Sequence, residues 1–151
     1  MLRVMIAEDE DIIRKGLIYT MDWMGMDCVV VAEAANGQDG LSKILEHKPD
    51  VVLADICMPF MDGIEMIKEA SKSVKFKSIL LTSYAEFEYA RRAISAGVSE
   101  YLLKPVDEEK LAVLMKRLGE EIANSRQVEY VMEQAESDAG IMNLEYYIQL
   151  D

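Results

Sequence analysis

Cysteine and histidine are scarce in this chain: Cys28, Cys57 and His47 are all it has. Two thiols cannot frame a disulfide-stapled fold, and with one imidazole they cannot supply a usual structural zinc site. Free thiols instead fit a reducing, cytoplasmic setting. Long apolar runs are also missing. The longest purely apolar stretches are about five residues, such as Cys28 to Ala32, far short of the roughly 20 a membrane-spanning helix needs. The start of the chain, Met1 to Asp9, lacks the shape of a signal peptide, because Glu8 and Asp9 interrupt the apolar stretch at once. Basic residues are in the minority, 16 against 28 acidic ones, for a net charge of −12. Phosphate affinity comes from Lys and Arg, so this balance argues against nucleic acid or an anionic membrane as the partner of this chain.

What is present is a globular composition, 51% apolar and 29% charged over 151 residues. That length fits one domain with an appendage. The acid is uneven. Residues 1–106 carry 12 basic and 17 acidic side chains, whereas residues 107–151 carry 4 and 11.

Short β-branched apolar runs alternate with amphipathic stretches. Strands are expected at Leu2–Ala7, Cys28–Ala34, Val51–Ala54, Ser78–Thr82 and Glu100–Leu103. Runs of this length, bounded by polar or turn residues, are typical of buried parallel strands. Between them, apolar residues recur at helical spacing: Ile12, Ile13, Leu17 and Ile18; Leu41, Ile44 and Leu45; Ile64, Ile67 and Ala70; Phe87, Ala90, Ala93 and Ile94. Asn36 can cap one helix, Lys48-Pro49-Asp50 can stop it, and Ala96-Gly97 marks a further helix end. Five βα units in a row imply an α/β, doubly wound parallel sheet with helices on both faces. A last helix begins near Asp107, with a stripe of Leu111, Leu114, Leu118 and Ile122. Past a polar gap at Ser125, Val128, Val131, Met132 and Ala135 continue the rhythm. Residues 119–151 read as a helical extension or linker, with a coiled coil as one form and a frayed acidic tail as the other.

Ligands of open α/β sheets bind outside the carboxyl ends of the strands. Here those ends deliver Glu8-Asp9-Glu10, Asp55, Thr82-Ser83 and Lys104-Pro105, each from a different strand. Taken singly, the carboxylates could be helix caps and the hydroxyls turn formers. Taken together they form a complementary set. Clustered carboxylates repel unless a cation joins them, and oxygen-only ligands favour a hard ion, Mg²⁺ or Mn²⁺. A lysine opposite would neutralise phosphoryl oxygens, and a hydroxyl would hydrogen-bond to them. A carboxylate can itself accept a phosphoryl group.

The motifs Val4-Met5-Ile6-Ala7-Glu8-Asp9-Glu10, Val51-Val52-Leu53-Ala54-Asp55-Ile56-Cys57-Met58-Pro59, Met61-Asp62-Gly63, Leu80-Leu81-Thr82-Ser83 and Tyr101-Leu102-Leu103-Lys104-Pro105 occur in this order. The pattern resembles the receiver domain of bacterial two-component response regulators over about residues 2–122. The phrase from Ser83 to Ala96 looks most like regulators that carry an AraC-like DNA-binding output domain. The resemblance implies a flavodoxin-like sheet of order 2-1-3-4-5 and Asp55 as acceptor of a phosphoryl group from a sensor histidine kinase. It implies Mg²⁺ held by Glu8, Asp9, Asp55 and the backbone carbonyl of Cys57. Thr82 matches the switch hydroxyl, Tyr101 the aromatic that follows it, and Lys104 the phosphate-contacting lysine, with a cis bond to Pro105. Glu8 stands where Asp is commoner. Its side chain is one C–C bond longer, roughly 1.5 Å, which leaves direct and water-mediated ligation both open. Cys57 and Tyr84 lie near the expected path of attacking water, where they would tune loss of the phosphoryl group.

These readings give a receiver domain at 1–122 and a helical linker at 123–151. The expected function is a signalling switch, not an enzyme: phosphorylation changes the face made by the fourth helix, fifth strand and fifth helix, which meets a partner or a second copy. The chain is expected to be the N-terminal part of a transcription regulator whose DNA contacts lie elsewhere, with a stand-alone receiver as the alternative. Tyr146, Tyr147, Ile148 and Leu150 could instead fold back on the receiver. A Mg²⁺-dependent aspartyl-phosphate phosphatase is a remote rival. It would carry a second Asp two residues after the nucleophile, where this chain has Cys57. A flavin-binding flavodoxin would need a Ser-, Thr- and Gly-rich phosphate loop where this chain has Glu8-Asp9-Glu10.

Overall fold

The computed structural model describes residues 1–86, 88, 91 and 97–139, with the side chains of Tyr84 and 136–139 excepted. The expected stripe from Phe87 to Ile94, the roles given to the Tyr84 side chain and the fold-back of Tyr146 to Leu150 lie outside the described residues. The chain divides into two compact units, Met1–Met115 and Lys116–Asp151.

The first unit is built on five parallel strands, β1 (Leu2–Ala7), β2 (Cys28–Ala34), β3 (Val51–Asp55), β4 (Lys77–Thr82) and β5 (Glu100–Leu103), in the order β2-β1-β3-β4-β5. The central strands carry uninterrupted apolar runs because helices cover both faces of a doubly wound parallel sheet. Val4 to Ala7 of β1 and Val51 to Ala54 of β3 are wholly excluded from solvent. The interior strands run one residue longer than the apolar pattern indicates at two ends, Asp55 and Lys77.

Helices α1 (Asp11–Thr20), α2 (Gly37–His47) and α3 (Gly63–Ala70) connect the strands. Asn36 caps α2 by accepting the Asp39 N–H at 2.8 Å. Lys48 ends it in the left-handed conformation, φ 47°, with its N–H on the Ile44 carbonyl. Asp62 caps α3 through the Glu65 N–H at 2.8 Å. Met5, Ala7, Val52, Ala54 and Leu80 share one sheet face with Ile44 of α2 and with Met66, Ile67 and Ala70 of α3.

Two members of the expected stripes point the other way. Ile12 is 89% exposed and Leu45 is 41% exposed. In α1 the inward face is carried by Arg14 and Leu17, both buried. Ile12 lies roughly 200° around the helix from Arg14, so it faces solvent. A short 3₁₀ turn, Met24–Met26, precedes β2. Beside it Trp23 is buried, its Nε1 donating to the Leu17 carbonyl at 2.9 Å.

Helix α4 runs without a break from Glu108 to Ala139, through Ser125. Asp107 caps it, accepting the N–H groups of Glu109 at 2.8 Å and Lys110 at 3.3 Å. Its first turns, with Leu111, Leu114 and Met115 buried, belong to the first unit. The remainder lies in the second, where Val128, Tyr130 and Val131 are exposed. Both the sequence boundary at 122 and the structural break after Met115 fall inside this one helix. No described helix is long and apolar enough to cross a membrane.

Candidate phosphoacceptor and metal site

Sheet register brings the site together. Ala7 pairs with Ala54, Asp55 with Leu81, and Thr82 with Leu103. Glu8 and Lys104 each follow a strand's last residue, while Asp55 and Thr82 end theirs. All four therefore collect at the carboxyl edge, around the β1/β3 position where strand order reverses. The Lys104 N–H donates to the Thr82 carbonyl at 2.7 Å, fixing where the lysine leaves the sheet. The Lys104–Pro105 peptide is cis, as the resemblance implies.

Glu8, Asp9 and Asp55 each place a carboxylate oxygen within 4.8 Å of the others. Glu8 is fully buried, Asp55 is buried, and Asp9 is exposed. These acids are not spent on helix capping: α1 has Glu10 at its N-cap, and that side chain makes no capping hydrogen bond. Lys104 Nζ reaches Glu8 Oε1 at 3.2 Å and Asp55 Oδ1 at 3.1 Å. Glu8 Oε2 is buried and has no hydrogen-bond partner. An orphaned carboxylate oxygen in an all-oxygen cluster suits a hard divalent cation such as Mg²⁺.

Burial pushes the Glu8 carboxyl up to about 8, the adjacent Asp55 carboxylate adds to the rise, and Lys104 opposes it. For Lys104 burial works against the charge, but Asp55 and Glu8 outweigh it and raise its pKa. The metal-free fold therefore binds a proton at Glu8 more tightly than the unfolded chain does. The resulting stability is complete below pH 4.5 and is lost as pH rises through about 8. A cation must displace that proton. Mg²⁺ affinity is therefore expected to climb with pH up to about 8 and level off above it. Calorimetric titration across this range checks it, and Glu8→Gln should flatten the profile.

Of the other predicted residues, Thr82 is fully buried, and its hydroxyl donates to the Ser83 carbonyl at 3.1 Å. Tyr101 is half-buried against the sheet-face core. Cys57 is exposed, and its thiol donates to Glu86 Oε1 at 3.1 Å. That hydrogen bond, aided by burial and by the charges of Glu86 and Asp55, lifts the thiol to about 11. As a metal ligand Cys57 has only its backbone carbonyl to offer, since the cluster of side-chain donors is Glu8, Asp9 and Asp55.

Sequence reasoning missed three contributors. Glu86 also meets the Ser83 N–H, at 3.4 Å. Arg14 is buried beside the acidic loop. Gly63, quoted only as part of a motif, sits so close that a Cβ there would lie 2.2 Å from the Asp55 carbonyl oxygen. Phe60 is a further surprise, an 81% exposed aromatic held at φ 69°.

The family model described as the response regulator receiver domain matches residues 4–116. The transcriptional regulatory protein YesN of Bacillus subtilis is 36% identical over 125 residues, covering 81% of this chain and 33% of YesN. HptR, a transcriptional regulatory protein of Staphylococcus aureus, is 37% identical over 118 residues, covering 78% of this chain and 46% of HptR. This chain thus spans a third to a half of the length of these relatives. Among solved structures, the REC domain of AraT, a response regulator from Geobacillus stearothermophilus, superposes with a TM-score of 0.77 at 38% identity. That match covers 83% of this chain and 98% of the AraT chain. With its sheet order, its acidic cluster and this match over most of its length, the chain belongs to the response regulator receiver domain family.

Proposed function

We propose that this chain is a phosphorylation-operated switch in which Asp55 accepts a phosphoryl group from the phosphohistidine of a sensor kinase. The observation that carries the reading is the lysine bridge: Lys104 lies within 3.2 Å of both Glu8 and Asp55. A cation there would offset charge on incoming phosphoryl oxygens. The Asp55 carboxylate attacks phosphorus, the donor's N–P bond breaks with its electron pair left on the imidazole, and a P–O bond to Asp55 forms. Mg²⁺ held by Glu8, Asp9, Asp55 and the Cys57 carbonyl would supply further positive charge to the transferred group. Lys104 keeps its proton and turns from the carboxylates toward the phosphoryl oxygens. The Thr82 hydroxyl leaves the Ser83 carbonyl to donate to the same group, and Tyr101, in register beside β4, follows it.

The change is then passed to the face that includes β5, which pairs with a second copy. A preference of a few kcal/mol for one of two states suffices for such a switch. Cytoplasmic placement, a receiver at 1–122 and a linker at 123–151 complete the proposal. The relatives' names and their greater length support a place in a transcription regulator, with DNA contacts made outside this chain. The test is intact mass after incubation with acetyl phosphate. A gain of one phosphoryl group with Mg²⁺, and none after chelation, is expected. No gain under either condition would count against the reading.

A further inference from the structure

Among the described residues Arg14 is the one buried cation, 7% exposed. Its guanidinium joins three elements. Nη1 donates to the Glu8 backbone carbonyl at 2.7 Å, a buried bond. Nε donates to Glu33 Oε1 on β2 at 3.0 Å, and Nη2 pairs with Asp11 Oδ1 in the first turn of α1. The Glu8 N–H is bonded to the Ala34 carbonyl at 2.9 Å. Both backbone polar groups of Glu8 are thus held, one by β2 and one by Arg14. Together they set the direction of its Cα–Cβ bond. The carboxylate itself is less constrained, with Lys104 on one oxygen and nothing on the other.

Neutralising a buried arginine requires only Asp11 and Glu33. The bond to the Glu8 carbonyl does something else: it ties the guanidinium to the loop that presents Glu8 and Asp9. A planar fork makes such a three-way bracket, and a lysine ammonium on a flexible stem does not reproduce it. We propose that Arg14 is a positioning residue for the divalent-cation site, aiming Glu8 into the acidic cluster through its backbone. The inference rests on the metal-binding role given to Glu8 above.

The test is the Mg²⁺ dissociation constant of the full chain by calorimetry, at a temperature where circular dichroism shows each variant folded. Outer contacts of this kind alter metal affinity by about 10- to 100-fold. Arg14→Met is expected to weaken Mg²⁺ binding within that range, and Arg14→Lys, the variant more apt to fold, by about tenfold. Ile44→Ala, a cavity variant in α2 whose side chain makes no hydrogen bond to the acidic loop, is expected to lose stability but keep the wild-type constant. At saturating Mg²⁺ the Arg14 variants should recover phosphoryl uptake from acetyl phosphate. Wild-type Mg²⁺ affinity in a folded Arg14 variant would overturn the inference, as would equal weakening by Ile44→Ala. Failure of the wild type itself to bind Mg²⁺ would overturn the site reading, a separate result.

Discussion

Asp55→Asn is expected to take up no phosphoryl group from acetyl phosphate while staying folded. The side chain ends β3 and is buried, with Lys104 Nζ 3.1 Å from Oδ1. Asparagine keeps the shape and an oxygen for the lysine to contact. It lacks the negative charge that makes the oxygen a nucleophile, so attack on phosphorus fails. The substitution also removes one of the three clustered carboxyl groups. Lys104 is then shared with Glu8 alone, and the push that Asp55 exerts on the Glu8 carboxyl disappears. Mg²⁺ should bind more weakly, because one oxygen ligand has lost its charge. Intact mass and calorimetry read the two effects separately. Uptake in the variant would show that another residue accepts the phosphoryl group.

Gly63→Ala is expected to lower both stability and phosphoryl uptake. Its Cβ would stand 2.2 Å from the Asp55 carbonyl oxygen and 3.1 Å from the carbonyl carbon. Neither atom belongs to a flexible side chain that can swing away. The Gly63 N–H also donates to the Ile56 carbonyl at 2.9 Å, holding the start of α3 against the end of β3. Relief therefore requires the backbone around the phosphoacceptor to move. Overpacking of this kind costs about 3 kcal/mol, or roughly 10 °C in Tm for a domain of this size. Because the displaced atoms belong to Asp55, phosphoryl uptake should fall too, even at temperatures where the variant is folded. Thermal melts paired with uptake rates check both parts. An unchanged Tm would mean that the α3 start yields easily and that the close approach carries no constraint.

The strands and the helix caps were legible because their signals are local. Apolar runs such as Val51 to Ala54 have one good solution, a buried parallel strand, and Asn36 and Asp107 cap where their positions indicate. The candidate site was legible for a related reason. Topology alone brings strand ends to one edge, so Glu8, Asp55, Thr82 and Lys104 converge once five βα units are recognised. Arg14 was not legible. An arginine in an amphipathic helix reads as solvated, and its burial depends on Glu33, on β2, and on a backbone carbonyl that no sequence pattern reports. Ile12 failed for the complementary reason: its apolar side chain fits the stripe by spacing, while the true inward face is rotated toward Arg14 and Leu17. The Cys57–Glu86 contact joins residues 29 apart through loop geometry, which periodicity does not encode. The full burial of Glu8, and the unpartnered oxygen that goes with it, likewise arises only when β1 is enclosed by its neighbours.

The central claim is that Asp55 is the residue phosphorylated. An acyl phosphate, unlike a phosphoserine or phosphothreonine, is reduced by borohydride to an alcohol. Wild-type protein treated with acetyl phosphate and Mg²⁺, reduced and digested, should therefore yield homoserine at position 55 and at no other aspartate. Homoserine at Asp9 or elsewhere, with Asp55 recovered intact, would contradict the account.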